Sequence, residues 1–181
     1  MPPHNGMFGL VPHWATDTNI ARQTFNSRSE TASPKPSFRD AWKRSQLCII
    51  PDQAIFESDW RSGKAVPTRI ERADGEPMGI AGLWSWWKSP KGEVLQSYTM
   101  LTINAEHHAL MQQFHKSADE KRMVVILPPE SYQRWLEAPP AQAMAFMQSV
   151  AAELLVAKLA LRDAKAEYVR PTWAPGPVPS S

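Results

Sequence analysis

The sequence has very little cysteine. Its 181 residues include one, Cys48, which excludes an internal disulfide bond and any cysteine-rich metal site. Such a chain suits a reducing compartment. Long apolar runs are also missing, and no charged segment followed by an apolar stretch opens the chain. We therefore expect a cytoplasmic protein without a membrane segment.

The chain also has little excess of charge of either sign. Twenty Lys and Arg residues oppose 18 Asp and Glu residues, which leaves a net charge of +2. No global basic field therefore marks a nucleic-acid-binding protein, although a local basic patch is compatible with this composition. No glycine-rich phosphate loop, Walker motif or G-x-S-x-G elbow occurs. We expect no small-molecule cofactor.

What the chain does contain is typical of one globular domain. It is 43% hydrophobic and 21% charged, and 17 prolines divide it into short elements. Eight tryptophans can serve either a core or a stacking surface. We expect a single domain over residues 1–170, followed by a disordered Pro-rich tail over residues 171–181.

The hydrophobic pattern predicts a mixture of short strands and peripheral helices. Strands are expected at 46–50, 53–60, 97–103 and 123–127, and a hairpin should join 66–72 to 78–87 through the turn ADGEP. Helices are expected over 104–115, after Pro129, over 141–166, and over 38–45 with Ser37 as the cap. The fold class predicted is α+β.

Two residues are candidates for acid–base chemistry. Glu57 lies in an apolar stretch, where burial would raise its pKa; the alternative is a carboxylate on the wet face of an alternating strand. His115 ends the predicted helix 104–115, where the helix terminus favours imidazolium; the alternative is a surface cap residue. His107 and His108 are adjacent and have no helical partner ligand, so we expect no metal site.

Three other features have ordinary structural interpretations. Cys48 lies within the apolar run LCII, with no neighbouring cation to stabilise a thiolate, and is interpreted as structural. The tryptophans Trp84, Trp86 and Trp87 alternate within a strand and are assigned mainly to core packing. The polar stretch FNSRSET (25–31) is either a solvated turn or a set of groups directed at a ligand.

Six segments, in this order, resemble the SOS response-associated peptidase (SRAP) family of abasic-site processing proteins. They are FGLVPHWA (8–15), FNSRSET (25–31), KPSFRDAWKRSQLCIIPDQAIFE (35–57), AGLWSWW (81–87), SYTMLTINAEHHALMQQFHK (97–116) and EKRMVVILPPESYQRWLE (120–137). The resemblance implies a β-rich, barrel-like mixed sheet with peripheral helices. It also implies a monomeric, nucleoid-associated protein that binds single-stranded DNA with abasic sites.

The resemblance assigns a role to five residues. Glu57 is the implied acid–base group, His115 the implied proton donor, and Asn26 the residue that orients the nucleophile. Arg28 is expected to hold a DNA phosphate, and Trp14 to lie near the DNA path. We expect Asn26, Glu57 and His115 to converge on one cleft, and Glu30 to have a structural role, pairing with Arg28.

The chain departs from the family pattern at its start. Family members begin Met-Cys-Gly-Arg, and that cysteine crosslinks to the ring-opened sugar; self-processing at the N-terminus explains the word peptidase. Here residue 2 is Pro2, which we interpret as a poor substitute. Two hypotheses remain within the family: an N-terminally shortened abasic-site processing enzyme, or a variant that binds single-stranded DNA without crosslinking. A small protein-interaction module with a Trp-rich face is the third.

Overall fold

Two β-sheets carry most of the chain in a computed structural model that describes residues 6–116 and 118–160. Within those residues the strands are β1 (Met7–Phe8), β2 (Asn26–Arg28), β3 (Leu47–Asp52), β4 (Ile55–Asp59), β5 (Val66–Arg72), β6 (Met78–Lys88), β7 (Val94–Asn104), β8 (Arg122–Val124), β9 (Ile126–Leu127) and β10 (Leu155–Leu159). The larger sheet contains β1, β2, β3, β6, β7, β8 and β9, and the smaller one has the order β10-β5-β4.

Strands β6 and β7 form the centre of the larger sheet. They pair antiparallel, with Trp84 opposite Tyr98. Strands β1 and β2 pair parallel with β7, and β8 pairs antiparallel with it. Because three short strands pair with β7, this strand brings distant parts of the sequence together in one sheet.

Among the described residues, four short α-helices accompany the sheets: α1 (Ser29–Ala32), α2 (Arg39–Lys43), α3 (Tyr132–Leu136) and α4 (Pro140–Ala143). Trp135 on α3 is fully buried, and its indole N–H donates to the carbonyl of Cys48 at 2.8 Å. This bond attaches α3 to β3, and it satisfies a polar group that burial would otherwise leave without a partner.

The α+β fold class predicted from the sequence is confirmed. Strands are present at all the predicted positions, but the one expected over 123–127 is divided into β8, which pairs with β7, and β9, which pairs with β6. Pro129 opens a 3-10 turn that leads into α3. The sheet is mixed, as expected, but in the described part of the chain its strands do not close into a barrel.

The predicted hairpin between 66–72 and 78–87 is wrong. Strand β5 pairs with β4 and β10, whereas β6 pairs with β3, β7 and β9 in the other sheet. The first six residues of β6 are all buried, so this strand needs a partner on both edges and cover on both faces. The intervening turn therefore crosses between the sheets.

Two predicted helices are also wrong. Residues 104–115 contain a single 3-10 turn at Met111–Gln113, because Asn104 still belongs to β7 and Nδ1 of His108 accepts the backbone N–H groups of Leu110 and Met111. Within the described part of that range, residues 141–160 contain the end of α4, two 3-10 turns and β10. Pairing of β10 with β5 overrides a helical propensity that is only a weak preference.

The helix predicted over 38–45 is present as α2, but its cap differs. The helix begins at Arg39, and the preceding residue, Phe38, makes no side-chain capping bond. The predicted cap of Ser37 is therefore wrong.

Some predictions fall on residues outside the described ranges. They concern Pro2, the end of the predicted helix after residue 160, and the Pro-rich tail over 171–181. Among the described residues, none of the helices is long and apolar enough to cross a membrane.

Candidate functional site

A cleft of about 260 Å³ lies where β4 of the smaller sheet faces β2, β7 and β8 of the larger one. Its lining combines polar groups with an apolar floor and consists of Asn26, Asp52, Ala54, Ile55, Phe56, Glu57, Met100, Thr102, His115, Arg122, Met123 and Val124. The expectation that Asn26, Glu57 and His115 converge on one cleft is confirmed. Their chemical roles stay predictions.

Glu57 reaches the cleft because of strand alternation. It lies two residues after the buried Ile55, so both side chains leave β4 on the same face. Its backbone partner on β5 is the buried Thr68. The carboxylate is therefore only 29% exposed, and burial raises the pKa of Glu57, an effect that the nearby His115 imidazole partly offsets.

His115 is positioned by the main chain rather than by a helix end. Its backbone N–H donates to the Ser58 carbonyl at 3.3 Å, and Phe114 forms an isolated bridge with Asp59. The residue adopts a positive φ of 75°, which non-glycine residues rarely do. The prediction that His115 ends a helix spanning 104–115 is wrong, because only one 3-10 turn precedes it.

The two titratable side chains face each other directly. Nε2 of His115 lies 3.8 Å from Oε2 of Glu57, beyond hydrogen-bond distance but close enough for the imidazole to oppose in part the effect of burial on the pKa of Glu57. Nδ1 of His115 is buried and has no hydrogen-bond partner among the described residues. The imidazole thus presents Nε2 to the carboxylate, and the pair can exchange protons with a small polar group in the cleft.

Asn26 enters the same cleft from β2. It is paired with Met100 on β7, so the two side chains share a sheet face, and its own side chain is exposed. The preceding residue, Phe25, accepts the backbone N–H of Met100 and the hydroxyl of Thr99, each at 2.9 Å. FNSRSET is therefore neither a turn nor a loop: it forms β2 and α1, and its first polar residue lines the cleft.

An ion-pair network borders the cleft. Arg122 on β8 donates to Glu30 at 3.1 and 2.9 Å, to Glu120 at 2.8 Å, and to the Thr102 carbonyl at 2.7 Å. Arg28 pairs with Glu120 at 2.6 Å. The predicted pairing of Glu30 with Arg28 is wrong, because Glu30 faces Arg122 instead.

Arg122 lines the cleft, although the sequence pattern did not predict it as a site residue. Its side chain is 13% exposed, and it directly precedes the buried run MVVIL. A cation at the first position of a buried strand is a signal that sequence inspection could have used, because a buried guanidinium needs several partners.

Trp14 and Arg28 lie outside the cleft lining. Trp14 is 48% exposed, and its indole N–H contacts the Pro36 carbonyl at 3.4 Å. The Arg28 side chain is 58% exposed. Both side chains are exposed, and neither is fixed by burial.

Cys48 does not contribute a reactive group to the cleft. Burial raises the pKa of its thiol to about 12, which agrees with a structural residue. No group of three or more His, Cys, Asp and Glu side chains suited to a metal ion occurs within residues 6–116 and 118–160. The chemistry that the cleft itself offers is proton transfer between a carboxylate and an imidazole, beside an amide.

The sequence matches one described family. The profile of "SOS response associated peptidase (SRAP)" covers residues 4–163. The abasic site processing protein YoqW of Bacillus subtilis is 37% identical over 130 residues, which is 71% of this chain and 54% of YoqW. The abasic site processing protein HMCES of Gallus gallus is 28% identical over 163 residues, covering 76% of this chain and 46% of HMCES. The chain thus spans about half the length of these curated relatives.

A solved structure has the same fold. A protein from Bordetella bronchiseptica is 48% identical and superposes with a TM-score of 0.80, covering 85% of this chain and 75% of that one. A protein from Bacteroides thetaiotaomicron, 25% identical, superposes with a TM-score of 0.77 over 86% of this chain and 68% of that one. The arrangement of the two sheets therefore recurs in proteins of moderate and low sequence identity.

Proposed function

The chain belongs to the SOS response associated peptidase family, and we propose that it processes abasic sites in single-stranded DNA. The step we assign to it is the opening of the abasic sugar. That sugar is a cyclic hemiacetal that must open before its aldehyde can react with any nucleophile. Opening needs one proton removed and another delivered.

Glu57 and His115 are the groups proposed to move these protons. The Glu57 carboxylate takes the proton of the anomeric hydroxyl, and the Nε2–H of the His115 imidazolium protonates the ring oxygen. The bond between the anomeric carbon and the ring oxygen breaks, which leaves an aldehyde and a free hydroxyl. A carboxylate whose pKa is raised by burial is a stronger base than an exposed one, and it can return the proton later.

The other residues are proposed to hold the DNA. The Asn26 amide offers a donor and an acceptor to the sugar at the mouth of the cleft. Arg28 binds a backbone phosphate through its exposed guanidinium. Trp14 offers an exposed indole for stacking with an unpaired base. A local groove of this kind does not need a large net charge.

The observation that carries the proposal is the contact between Glu57 and His115. Their facing atoms lie 3.8 Å apart in a cleft that Asn26 also lines. A purely structural ion pair would not need an adjacent cleft or an accessible amide. The cleft volume of about 260 Å³ also suits one sugar rather than a whole base pair.

The proposal is tested by measuring sugar opening without any crosslink. An abasic single-stranded oligonucleotide is mixed with saturating methoxyamine, so that oxime formation reports the rate at which aldehyde is released. We expect the protein to raise this rate. We expect Glu57→Gln and His115→Asn each to reduce the gain by about 100-fold, the lower end of what a general acid or base contributes.

A matched control separates catalysis from binding. Glu137→Gln removes an exposed carboxylate that directly follows α3 and does not line the cleft, so it should leave the rate unchanged. DNA binding by the three variants is followed by fluorescence anisotropy. If the unmodified protein binds DNA but does not raise the rate of aldehyde release, the proposed enzymatic activity is rejected. That result would favour the alternative, a non-catalytic single-stranded DNA-binding protein.

A further inference from the structure

We propose that Glu120 is an internal competitor for the DNA backbone, occupying with its carboxylate the position between Arg28 and Arg122 where a phosphate would bind. This inference rests on the proposed function, because it concerns the regulation of phosphate binding by Arg28. It predicts that the protein binds single-stranded DNA more weakly than it would if the Glu120 carboxylate did not occupy the guanidinium groups of Arg28 and Arg122.

The Glu120 carboxylate contacts Arg28 and Arg122 in the way that a bound anion would. One carboxylate oxygen of Glu120 accepts from Nη1 of Arg122 at 2.8 Å, and the other lies 2.6 Å from Nη1 of Arg28. Two cationic groups from different strands, β2 and β8, therefore converge on one pair of oxygens. Carboxylate and phosphate present paired anionic oxygens that arginine binds in the same way.

Glu120 differs from the other carboxylate of the network. Glu30 makes a two-bond contact with the guanidinium of Arg122, whose side chain is 13% exposed and fixed further by Thr102. Glu120 is 36% exposed and precedes β8, and within the described residues its carboxylate contacts only the two guanidinium groups. Glu30 thus anchors Arg122, whereas Glu120 can swing away without breaking packing.

Electrostatics supports competition rather than cooperation. The hydrogen bond from Arg122 lowers the pKa of Glu120, so this carboxylate is ionised at neutral pH. A phosphate that approaches Arg28 and Arg122 meets a negative charge already bound there. Like charges in one site repel, so either Glu120 leaves or the phosphate binds weakly.

The test compares Glu120→Gln with Glu137→Gln, which removes the same charge from an exposed residue directly after α3. A fluorescent oligothymidine without abasic sites is titrated at several salt concentrations. We expect Glu120→Gln to bind about threefold more tightly, the effect of one exposed ion pair, and Glu137→Gln to bind like the unmodified protein. In an Arg28→Gln background, most of the gain from Glu120→Gln should disappear.

The possible results are distinguishable. Equal affinity of Glu120→Gln and Glu137→Gln, with normal binding and sugar opening by the unmodified protein, would overturn the competitor role alone. Weaker binding by Glu120→Gln would assign the residue to positioning of the arginines and would also overturn it. Absence of DNA binding in all the proteins would overturn this inference together with the proposed function.

Discussion

Oε2 of Glu57 and Nε2 of His115 lie 3.8 Å apart, held there by the backbone rather than by side-chain contacts. The main-chain N–H of His115 donates to the Ser58 carbonyl at 3.3 Å, one residue beyond Glu57. Glu57 is therefore placed by β4 itself, and His115 by a backbone hydrogen bond to that same strand. Substitution of either one should remove its charge without moving the other.

The first prediction concerns the stability cost of Glu57. Burial raises its folded-state pKa above the unfolded value of about 4.3. Its contribution to stability is then fully present below about pH 4.3 and is lost as the pH rises through the raised folded-state pKa. Glu57→Gln should therefore increase the free energy of unfolding at neutral pH, and this gain should shrink as the pH falls.

Urea unfolding at a series of pH values measures this difference. Glu137→Gln is the control, because it removes an exposed carboxylate that does not line the cleft. A constant difference between Glu57→Gln and the unmodified protein across the series would contradict the raised pKa. A gain that grows toward acidic pH would contradict its direction.

The sequence located the cleft residues better than it located the elements that carry them. Glu57 could be placed on a strand from its alternation, but its burial depends on β5, which contributes Thr68 beside it. The sequence pattern predicts a helix that ends at His115, yet this residue is positioned by the strand that carries Ser58. A cleft residue can therefore be predicted correctly even when its secondary structure is predicted wrongly, because backbone pairing between distant segments brings the residue to the cleft.

The ion-pair network could not be predicted from sequence distance. Glu30 and Arg28 are close along the chain, so they were expected to pair, but they point to different partners. Arg122 is brought beside β2 because β8 and β2 flank β7. Residues 155–159 could not be predicted for the same reason. This Ala- and Leu-rich stretch favours a helix by propensity, but it forms a strand because it pairs with the edge of β5.

The second prediction concerns the phosphate role of Arg28. If its exposed guanidinium contacts one backbone phosphate, Arg28→Gln should weaken binding of all single-stranded sequences alike. The slope of log K against log salt should also fall by about 0.7, the value for one phosphate on a single strand. Arg134→Gln is the control, since Arg134 packs over Phe146, away from the cleft. An unchanged slope for Arg28→Gln would remove Arg28 from the DNA path.

The third prediction concerns Cys48, the one thiol of the sequence. With its pKa raised to about 12, the folded protein should react with maleimide about a thousandfold more slowly at neutral pH than an ordinary thiol does. The same protein unfolded in urea provides the control and should react at the ordinary rate. Incubation with abasic single-stranded DNA should give no heat-stable adduct through Cys48. Rapid labelling of the folded protein would contradict the burial of this thiol.

The fourth prediction concerns Gly9, in the segment FGLVPHW, directly after β1. Its φ is +99°, and a Cβ there would lie 2.3 Å from the Ala21 carbonyl oxygen. Gly92 has a similar φ of +88° but open space around it, so it serves as a matched control. We expect Gly92→Ala to cost about 1 kcal/mol of unfolding free energy from backbone strain alone, and Gly9→Ala about 3 kcal/mol, because a main-chain clash is added to that strain. Equal losses in urea unfolding would show that the chain around Ala21 yields easily, and that the packing of this segment does not depend on glycine.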